Sequence, residues 1–548
     1  MILFFGFAIA VFVTMVLIPP LMRLAVRWRV VDIPDARKVH TTAIPRIGGV
    51  AMVIGGMLPA VLWLAPHKEI VAFLAGVAII LFFGVWDDRK NLDYRLKFFG
   101  QILAVLTVVV YGGITIRYMP FGGADTLPDY VALPLTVFAL LGITNAINLA
   151  DGLDGLAGGT TMLSLGMIAI LSYLAGGVYV GLIAVSVMGA ILGFLRYNTY
   201  PARIFMGDAG SQFLGFSAGV LVILLTQQVS PVLSPAIAVM VLGLPILDTA
   251  MVIGQRVYEG RSAFSPDKNH IHHKLLGLGF NHYEAVFLIY LIQSLFVLGA
   301  YFLRFESDLV VTTLYLLFCL TVIALFRIAN ATGWRMHVQH GGQHRFPVER
   351  WMRWLRQNDR LLKTAFYFAV SMIALFLVLG ALMVSRVSVD IAMLAGMLLI
   401  AVLANHYMRS GKPFNTVERA VAYIAVAVVV YLVQVSPGPL ADFEIFQNIL
   451  FGVLILAIVI GFRFSRADNF KGTPMDFLII FIVLIVPNLP DMDLLALSGV
   501  DFGMAIVKLI VLFYGMELVL TNIDRRWNIL RWMIFMPLAI LAARGALG

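Results

Sequence analysis

The sequence has little charge and almost no cysteine for its length. Only 13% of its 548 residues are Asp, Glu, Lys or Arg, whereas 61% are hydrophobic. A soluble protein of this size needs far more polar surface to cover its core. The single cysteine, Cys319, lies in an apolar run, which excludes an intrachain disulfide and a cysteine-based metal cluster. The composition therefore predicts a membrane protein.

Apolar runs of about 20 residues recur from one end of the chain to the other, and this length crosses a hydrocarbon core of about 30 Å. We therefore predict an all-α, polytopic transmembrane helical bundle of about 18 spans, with about eleven in a core and about seven in a C-terminal extension. The N-terminal run MILFFGFAIAVFVTMVLIPP lacks a basic n-region and is too long for a cleaved signal peptide. We interpret it as the first span.

The net charge of +9 follows a pattern typical of membrane topology. Lys and Arg concentrate in alternate loops, such as 87–97, 196–208 and 255–283, whereas the intervening loops hold few of them. The positive-inside rule places the basic loops in the cytoplasm and both termini on the periplasmic side. This distribution argues against nucleic acid as a partner and predicts a multi-pass protein of the cell inner (plasma) membrane.

The long basic segment 329–363 separates a predicted transmembrane core, 1–328, from a C-terminal transmembrane domain, 364–548. Within it, residues 347–362 place tryptophans together at helical spacing among several arginines, which favours an amphipathic helix on the inner leaflet over a solvated connector. The C-terminal domain carries no motif that we recognise. Packing, or formation of a homodimer, is the simplest role for it.

The acidic and histidine side chains concentrate in the predicted cytoplasmic loops, beside membrane ends. They are Asp87, Asp88, Asp93, Asp151, Asp154, Asp208, Asp267, His270, His272 and His273. Several acids at one membrane face repel each other unless a cation or a reaction uses them. Oxygen ligands without thiols suit Mg²⁺, with Mn²⁺ as a possible substitute, and these ions usually bridge phosphates. A zinc site at the histidines is disfavoured, since no further His or Cys lies at suitable spacing.

Local spacing gives each loop a possible chemistry. Asn148, Asp151 and Asp154 are spaced by three, so one helical face or turn would present all three. Asp208 stands just before an expected helix start, where free N–H groups favour an anion or a metal-bound phosphate. Each of these residues alone could be an ordinary loop cap. Asp248 is predicted to lie inside the span 233–254, where it is either functional or paired with Arg256.

Five motifs occur in the same order along this chain as in a known family of transferases. The sequence resembles the polyprenyl-phosphate N-acetylhexosamine-1-phosphate transferases over residues 1–328. The motifs are DIPDARKVHTTAIPRIGG at 32–49, the DD-x3-L-x4-K-x3-Q stretch at 87–101, NxxNxxDGxDGLAG at 145–158, NxxPAxxFMGDxGSxFLG at 198–215 and PDKxHIHH at 266–273.

Together with the loop chemistry above, the resemblance implies three groups of site residues. The catalytic group is Asp87, Asp88, Asp154 and His270. The substrate-binding group is Lys97, Asn148, Asp151, Arg261, Asp267, Lys268, His272, His273 and Asp248. The metal group is Asp208, Asp151 and Asp87, with Asp208 as a direct Mg²⁺ ligand and Asp87 as base or nucleophile. Arg37, Lys38 and His40 belong to a matched motif and receive no role.

The resemblance implies transfer of N-acetylhexosamine 1-phosphate from a UDP-sugar to undecaprenyl phosphate, which would initiate synthesis of an envelope glycan. The H-I-H-H pattern at 270–273 favours a plain UDP-N-acetylhexosamine over a UDP-muramoyl-peptide, whose branch carries three consecutive histidines, and among these sugars GlcNAc is the one that we predict. UDP-GalNAc, UDP-QuiNAc, UDP-diNAcBac and UDP-MurNAc-pentapeptide stay as alternatives. From other classes, a transporter would suit intramembrane Asp248 and Lys508, and an inactive scaffold is a further alternative. The crowding of acids at one membrane face disfavours the transporter.

Overall fold

The computed structural model describes residues 2–32, 43–119, 126–262, 270–336, 359–408, 416–435, 444–464, 507–513 and 527–547, together with residues 478, 481, 505, 515 and 516. The chain divides into two compact units, Met1–His340 and Gly341–Gly548. The boundary between them falls within the predicted linker 329–363. The predicted amphipathic helix 347–362 lies outside the described residues except for its last four positions.

The first unit consists almost wholly of helices. In chain order they are α1 (Ile2–Trp28), α2 (Gly48–Trp63), α3 (Lys68–Lys90), α4 (Tyr94–Leu106), α5 (Asp129–Ala150), α6 (Leu156–Leu174), α7 (Val178–Asn198), α8 (Gly207–Leu224), α9 (Ile237–Val241), α10 (Gly243–Tyr258), α11 (Ile271–Gly277), α12 (His282–Phe302) and α13 (Asp308–Ala331). Helices α4 and α8 continue into π-helical turns at Thr107–Tyr111 and Leu225–Val229. Strands β1 (Val31–Asp32) and β2 (Ile44–Pro45) pair antiparallel, with Val31 opposite Pro45.

Nine helices in the described part of the chain are long and apolar enough to cross a membrane. They are α1, α3 to α8, α12 and α13, with α4 and α8 counted together with their π-helical turns. The predicted fold class, a polytopic helical membrane protein, is confirmed. Helix α2 covers the predicted second span but is shorter, at 16 residues.

The predicted ninth span, 233–254, is wrong as a single helix. It is broken at Leu242 into α9 and α10. Pro245 has no N–H to donate to the carbonyl of Val241 four residues earlier, and that carbonyl instead accepts hydrogen bonds from Ser164 Oγ at 2.8 Å and Gln293 Nε2 at 2.9 Å. Gln293 Oε1 also accepts from the Leu244 N–H at 3.1 Å. Buried side chains thus satisfy the backbone groups that the break releases.

Helix α8 forms the centre of the first unit, with α2, α3, α5 and α6 packed around it. Small residues let these helices approach closely. A Cβ at Gly84 of α3 would overlap the backbone of Ala209, and one at Gly215 would lie 2.7 Å from Thr144 Cα of α5. This packing brings the ends of α3 and α5 against the N-terminus of α8.

The second unit contains α14 (Asp359–Met383), α15 (Val389–Met408), α16 (Thr416–Val435), α17 (Glu444–Phe464) and α18 (Trp527–Leu547) among its described residues. The predicted span 475–489 lies largely outside them, whereas half of the residues of the predicted span 501–520 are described and are helical. Arg544 of α18 donates to the carbonyls of Ala381 and Val384 at 3.0 and 2.6 Å, which satisfies the C-terminal end of α14. Lys508 is buried and donates to Gln447 Oε1 at 3.0 Å.

Candidate active site

Three charged side chains from distant parts of the sequence meet at one end of the first unit. Lys97 Nζ, in the first turn of α4, lies 2.6 Å from Asp208 Oδ1 and 3.1 Å from Asp87 Oδ2. Asp87 is in the last turn of α3 and Asp208 in the first turn of α8. The two carboxyl groups also lie within hydrogen-bonding reach of each other. Lys97 and Asp208 are 111 residues apart in sequence, so the fold produces the convergence that the motifs predicted.

Asp88 contacts the protein backbone with both of its carboxylate oxygens. Its Oδ1 accepts from the Asp208 N–H at 2.8 Å and its Oδ2 from the Ala209 N–H at 3.1 Å. The carboxylate thereby caps the N-terminus of α8 and complements its dipole. The sequence predicts that free N–H groups at this helix start favour an anion or a metal-bound phosphate, and for these two N–H groups the acceptor is the Asp88 carboxylate. The catalytic role predicted for Asp88 stays a prediction, while the geometry gives it a positioning role.

The NLADGLDG segment does not present its three polar residues on one helical face. Helix α5 ends at Ala150, so Asn148 is helical and Asp151 and Asp154 lie in the following loop. Asn148 Oδ1 accepts from Ser211 Oγ of α8 at 2.6 Å. Asp151 is exposed to solvent at the start of the loop, and Asp154 Oδ2 accepts from the Ala202 N–H at 2.9 Å.

The loop 151–155 is held in place from several sides. Asn198 Oδ1 accepts from the Gly155 N–H at 2.9 Å, while Asn198 Nδ2 donates to the Ile204 carbonyl at 2.8 Å. Tyr290 Oη donates to the Gly155 carbonyl at 2.6 Å. Sequence reasoning assigned no role to Asn198 or Tyr290. Asn198 is the first residue of the NxxPA motif, and this position in a motif is the one signal that could have identified it. Tyr290 lies outside every motif.

His272 packs directly against this loop. A Cβ at Gly152 would overlap His272 Nε2, so only glycine leaves room for the imidazole there. The His272 side chain is 3% exposed. Burial, followed by the neighbouring His273, lowers the pKa of His272 to about 3. The imidazole is therefore neutral near pH 7, and it can offer a hydrogen bond but no positive charge to a phosphate.

His270 is paired with Asp248 of α10. Asp248 Oδ2 lies 2.8 Å from His270 Nδ1, and Asp248 Oδ1 accepts from the Ile271 N–H at 2.7 Å. Both side chains are buried. The carboxylate therefore orients the imidazole and anchors the start of α11, while the substrate contact predicted for Asp248 stays a prediction. Asp248, His272 and Thr160 are the polar residues that line a small, otherwise apolar cavity.

The remaining predicted residues lie at the edge of this region or outside the described residues. Arg261 is exposed, and its Nε lies 2.9 Å from Glu259 Oε2. His273 is also exposed, with its ring centroid 4.2 Å from that of His272. Asp267, Lys268, Arg37, Lys38 and His40 lie outside the described residues.

Arg46 is a charged neighbour of the site that received no role from the sequence. It forms a parallel β-bridge with Phe205, just before the MGD motif. Its positive charge acts on Asp88, Asp151 and Asp208. The PRIGG segment belongs to the motif at 32–49, but nothing in its spacing indicates which loops it faces.

The acidic residues fit a divalent cation bound together with a substrate. Within the described ranges, no three Asp, Glu, His or Cys side chains are grouped so as to hold a metal ion by themselves. Mg²⁺, however, is usually held by one or two carboxylates plus phosphate oxygens. Asp87 and Asp208 supply two such carboxylates, and the Lys97 ammonium already contacts both as a cation.

Comparisons with known proteins identify the family. A protein of Bacillus subtilis (strain 168) named probable undecaprenyl-phosphate N-acetylglucosaminyl 1-phosphate transferase is 37% identical over 333 residues, covering 60% of this chain and 91% of that protein. The chain belongs to the polyprenyl-phosphate N-acetylhexosamine-1-phosphate transferase family. The resemblance inferred from the motifs is thus confirmed, and the model of glycosyl transferase family 4 matches residues 70–226.

Other members of the transferase family are similar over comparable lengths. The decaprenyl-phosphate N-acetylglucosaminephosphotransferase of Mycobacterium leprae (strain TN) is 37% identical over 315 residues, covering 50% of this chain and 77% of that protein. The undecaprenyl-phosphate alpha-N-acetylglucosaminyl 1-phosphate transferase of Escherichia coli (strain K12) is 29% identical over 307 residues, covering 54% of this chain and 83% of that protein. The matched family residues 70–226 contain Asp87, Lys97 and Asp208.

Proposed function

We propose that this protein transfers N-acetylglucosamine 1-phosphate from UDP-GlcNAc to a polyprenyl phosphate, giving polyprenyl-diphosphate-GlcNAc and UMP. The observation that carries the proposal is the contact of Lys97 with both Asp87 and Asp208. The names of the relatives support the donor sugar and the lipid acceptor. We place the reaction at the cytoplasmic face of the inner membrane, because the site is formed by the basic loops.

The proposed step is a displacement at phosphorus. An oxygen of the lipid phosphate attacks the β-phosphorus of the UDP-sugar, and the bond from that phosphorus to the bridging oxygen breaks, so that UMP leaves with both electrons. Such reactions depend mostly on positioning and on neutralising charge. Asp87 would accept a remaining proton from the lipid phosphate. Lys97 would stabilise negative charge on the transferred phosphoryl oxygens.

The other residues bind or orient in this proposal. Asn148 and the loop 151–155 would hold the nucleotide, and the neutral His272 would donate a hydrogen bond to a phosphate oxygen. Asp88 keeps Asp208 in place through the backbone of α8. Asp87 and Asp208 would hold Mg²⁺, which when bound supplies positive charge to the diphosphate and the departing UMP.

The direct test is an assay on purified protein with Mg²⁺, polyprenyl phosphate and radiolabelled UDP-GlcNAc. Parallel reactions with UDP-GalNAc, UDP-QuiNAc, UDP-diNAcBac and UDP-MurNAc-pentapeptide define the sugar. We expect labelled lipid and stoichiometric UMP with UDP-GlcNAc. Absence of UMP and labelled lipid with all five donors would refute the proposal. A larger kcat/KM for another donor would refute the assignment of GlcNAc.

A further inference from the structure

Beneath the charged groups of the site lies a layer of carboxamide side chains on α4, α5 and α8. We call it the carboxamide layer, and it consists of Gln101, Asn145 and Gln212. Each lies three or four residues from a site residue of its own helix, in the same order Lys97, Asn148 and Asp208. Residues at this spacing share one face of a helix, so the layer lies about one turn, or ~5 Å, from the site.

Hydrogen bonds connect the three helices through this layer. Gln101 and Asn145 form a reciprocal pair, with Asn145 Nδ2 donating to Gln101 Oε1 at 2.8 Å and Gln101 Nε2 lying 3.3 Å from Asn145 Oδ1. Gln101 Nε2 also donates to Gln212 Oε1 at 3.1 Å. The exposed fractions of Gln101 and Gln212 are 1% and 2%. Directional bonds in a buried place fix the rotation of each helix more tightly than apolar contacts do.

The layer is not explained by stability. Gln212 Nε2 is buried and has no hydrogen-bond partner within the described part of the chain. A buried N–H without an acceptor is unfavourable, and apolar side chains of similar shape would fill the same space without that cost. The unsatisfied Gln212 donor thus carries a cost that an apolar residue would avoid, and a role in orienting the helices accounts for its presence.

We propose that the carboxamide layer is a positioning device for the transferase site. It fixes the rotation of α4 and α5 against α8 and so holds Lys97 and Asn148 facing Asp208. This inference rests on the proposed function only for the reaction that the site performs. The positions of Lys97 and Asp208 can be measured without an assay of that reaction. Small displacements of reacting groups cost large factors in rate.

The first test compares Gln101→Met with a matched control. Gln101→Met keeps the length and approximate volume of the side chain but removes every hydrogen bond made by the Gln101 carboxamide group. The control is Ser217→Ala on α8, five residues beyond Gln212, where a buried hydroxyl also lacks a partner in the described residues. We expect Gln101→Met to lower kcat about 10- to 100-fold with KM for UDP-GlcNAc within about twofold, and Ser217→Ala to leave both within about twofold.

A rescue by exchange separates positioning from a general loss of packing. Gln101→Asn is one methylene too short to reach Asn145, whereas the double variant Gln101→Asn with Asn145→Gln restores the summed length of the pair. We expect the kcat of the double variant to be at least about tenfold higher than that of Gln101→Asn alone. The proposal is overturned if the exchange recovers nothing, if Gln101→Met matches Ser217→Ala, or if KM rises while kcat is unchanged.

A measurement that does not depend on turnover tests the carboxamide layer even if the proposed function is wrong. Lys97 is held by two carboxylates, so an amine-reactive reagent should label it slowly. Peptide mass spectrometry should give a labelling rate for Lys97 at least about threefold higher in Gln101→Met than in wild type, with no rise in Ser217→Ala. If wild type transfers no sugar but this difference is found, the proposed function fails and the positioning layer stands. If Lys97 is labelled at the same rate in Gln101→Met as in wild type, the positioning role of the carboxamide layer is refuted, whether or not wild type transfers sugar.

Discussion

Asp88 and Asp248 use both carboxylate oxygens on backbone N–H groups or on His270, whereas Asp87 Oδ2 and Asp208 Oδ1 contact Lys97. The other oxygen of Asp87, Oδ1, accepts from the Leu92 N–H at 2.7 Å. Asp87 and Asp88 are adjacent in the sequence but point about 100° apart around α3, since an α-helix has 3.6 residues per turn. The sequence identifies the pair as important without dividing their roles. Only the position of α8 beside α3 makes one of them a cap and the other a part of the charged cluster.

Replacement of Asp208 tests the charged cluster. Asp208→Asn keeps the size of the side chain but removes the charge that contacts Lys97, and we expect kcat to fall by about 10²- to 10⁴-fold. Asp93→Asn is the matched control, because Asp93 is exposed at the start of α4 and caps no N–H with its side chain. Turnover of purified proteins at equal folded fraction gives the comparison. Near-normal turnover of Asp208→Asn would remove the assigned role.

A glycine substitution tests the contact between the loop 151–155 and His272. Gly152→Ala would force His272 away from the loop 151–155, so we expect KM for UDP-GlcNAc to rise about tenfold, as for a displaced binding group. Gly142→Ala on α5 is the control, since nothing lies within 4 Å of a Cβ placed there. Initial rates over a range of donor concentrations measure the effect. Equal KM values for the two variants would show that His272 does not contribute to donor binding.

At the scale of helices, the site depends on how the ends of α3, α4 and α5 surround the start of α8. The motifs predicted that these ends meet, because they carry acids and amides in the same predicted cytoplasmic loops. The sequence did not predict the break of the span 233–254, although Pro245 is present there, because proline often lies in membrane helices without ending them. The contact of His272 with Gly152 has no local signal either, since 120 residues separate them in the sequence.

The cap of α8 can be tested through stability. Asp88→Ala leaves the Asp208 and Ala209 N–H groups without their buried acceptor, so we expect the free energy of unfolding to fall by about 1–3 kcal/mol. Asp88→Asn retains one acceptor oxygen and should lose about half as much. Thermal or denaturant unfolding in detergent micelles measures both variants. An unfolding midpoint for Asp88→Ala equal to that of wild type would contradict the capping role.

At the scale of the whole molecule, the described site residues all belong to the first unit, Met1–His340. The similarity to the Bacillus subtilis protein covers 60% of this chain. The motifs therefore identify residues that the first unit brings together, and they give no account of α14 to α18. In the second unit, buried Lys508 and Gln447 are polar groups that hydropathy alone would not have placed together.

Removal of the second unit tests whether transfer requires it. A chain that ends after His340 retains every described residue of the site, and we expect its turnover per folded molecule to stay within about threefold of the full-length protein. Detergent-solubilised protein should be compared at equal concentration, with size-exclusion chromatography to confirm that the shortened chain is folded. A folded but inactive shortened chain would assign the second unit an essential part in the reaction.

The ion pairs of Lys97 have a consequence for how the protein matures. One ammonium group already balances much of the charge of Asp87 and Asp208, so the bundle can fold into the bilayer before it meets a nucleotide or a metal ion. For Asp87 and Asp208 to hold the proposed Mg²⁺, Lys97 would have to leave at least one of the two carboxylates. On this proposal we expect weak binding of Mg²⁺ alone and tighter binding in the presence of the diphosphate, whose charge the released lysine would share.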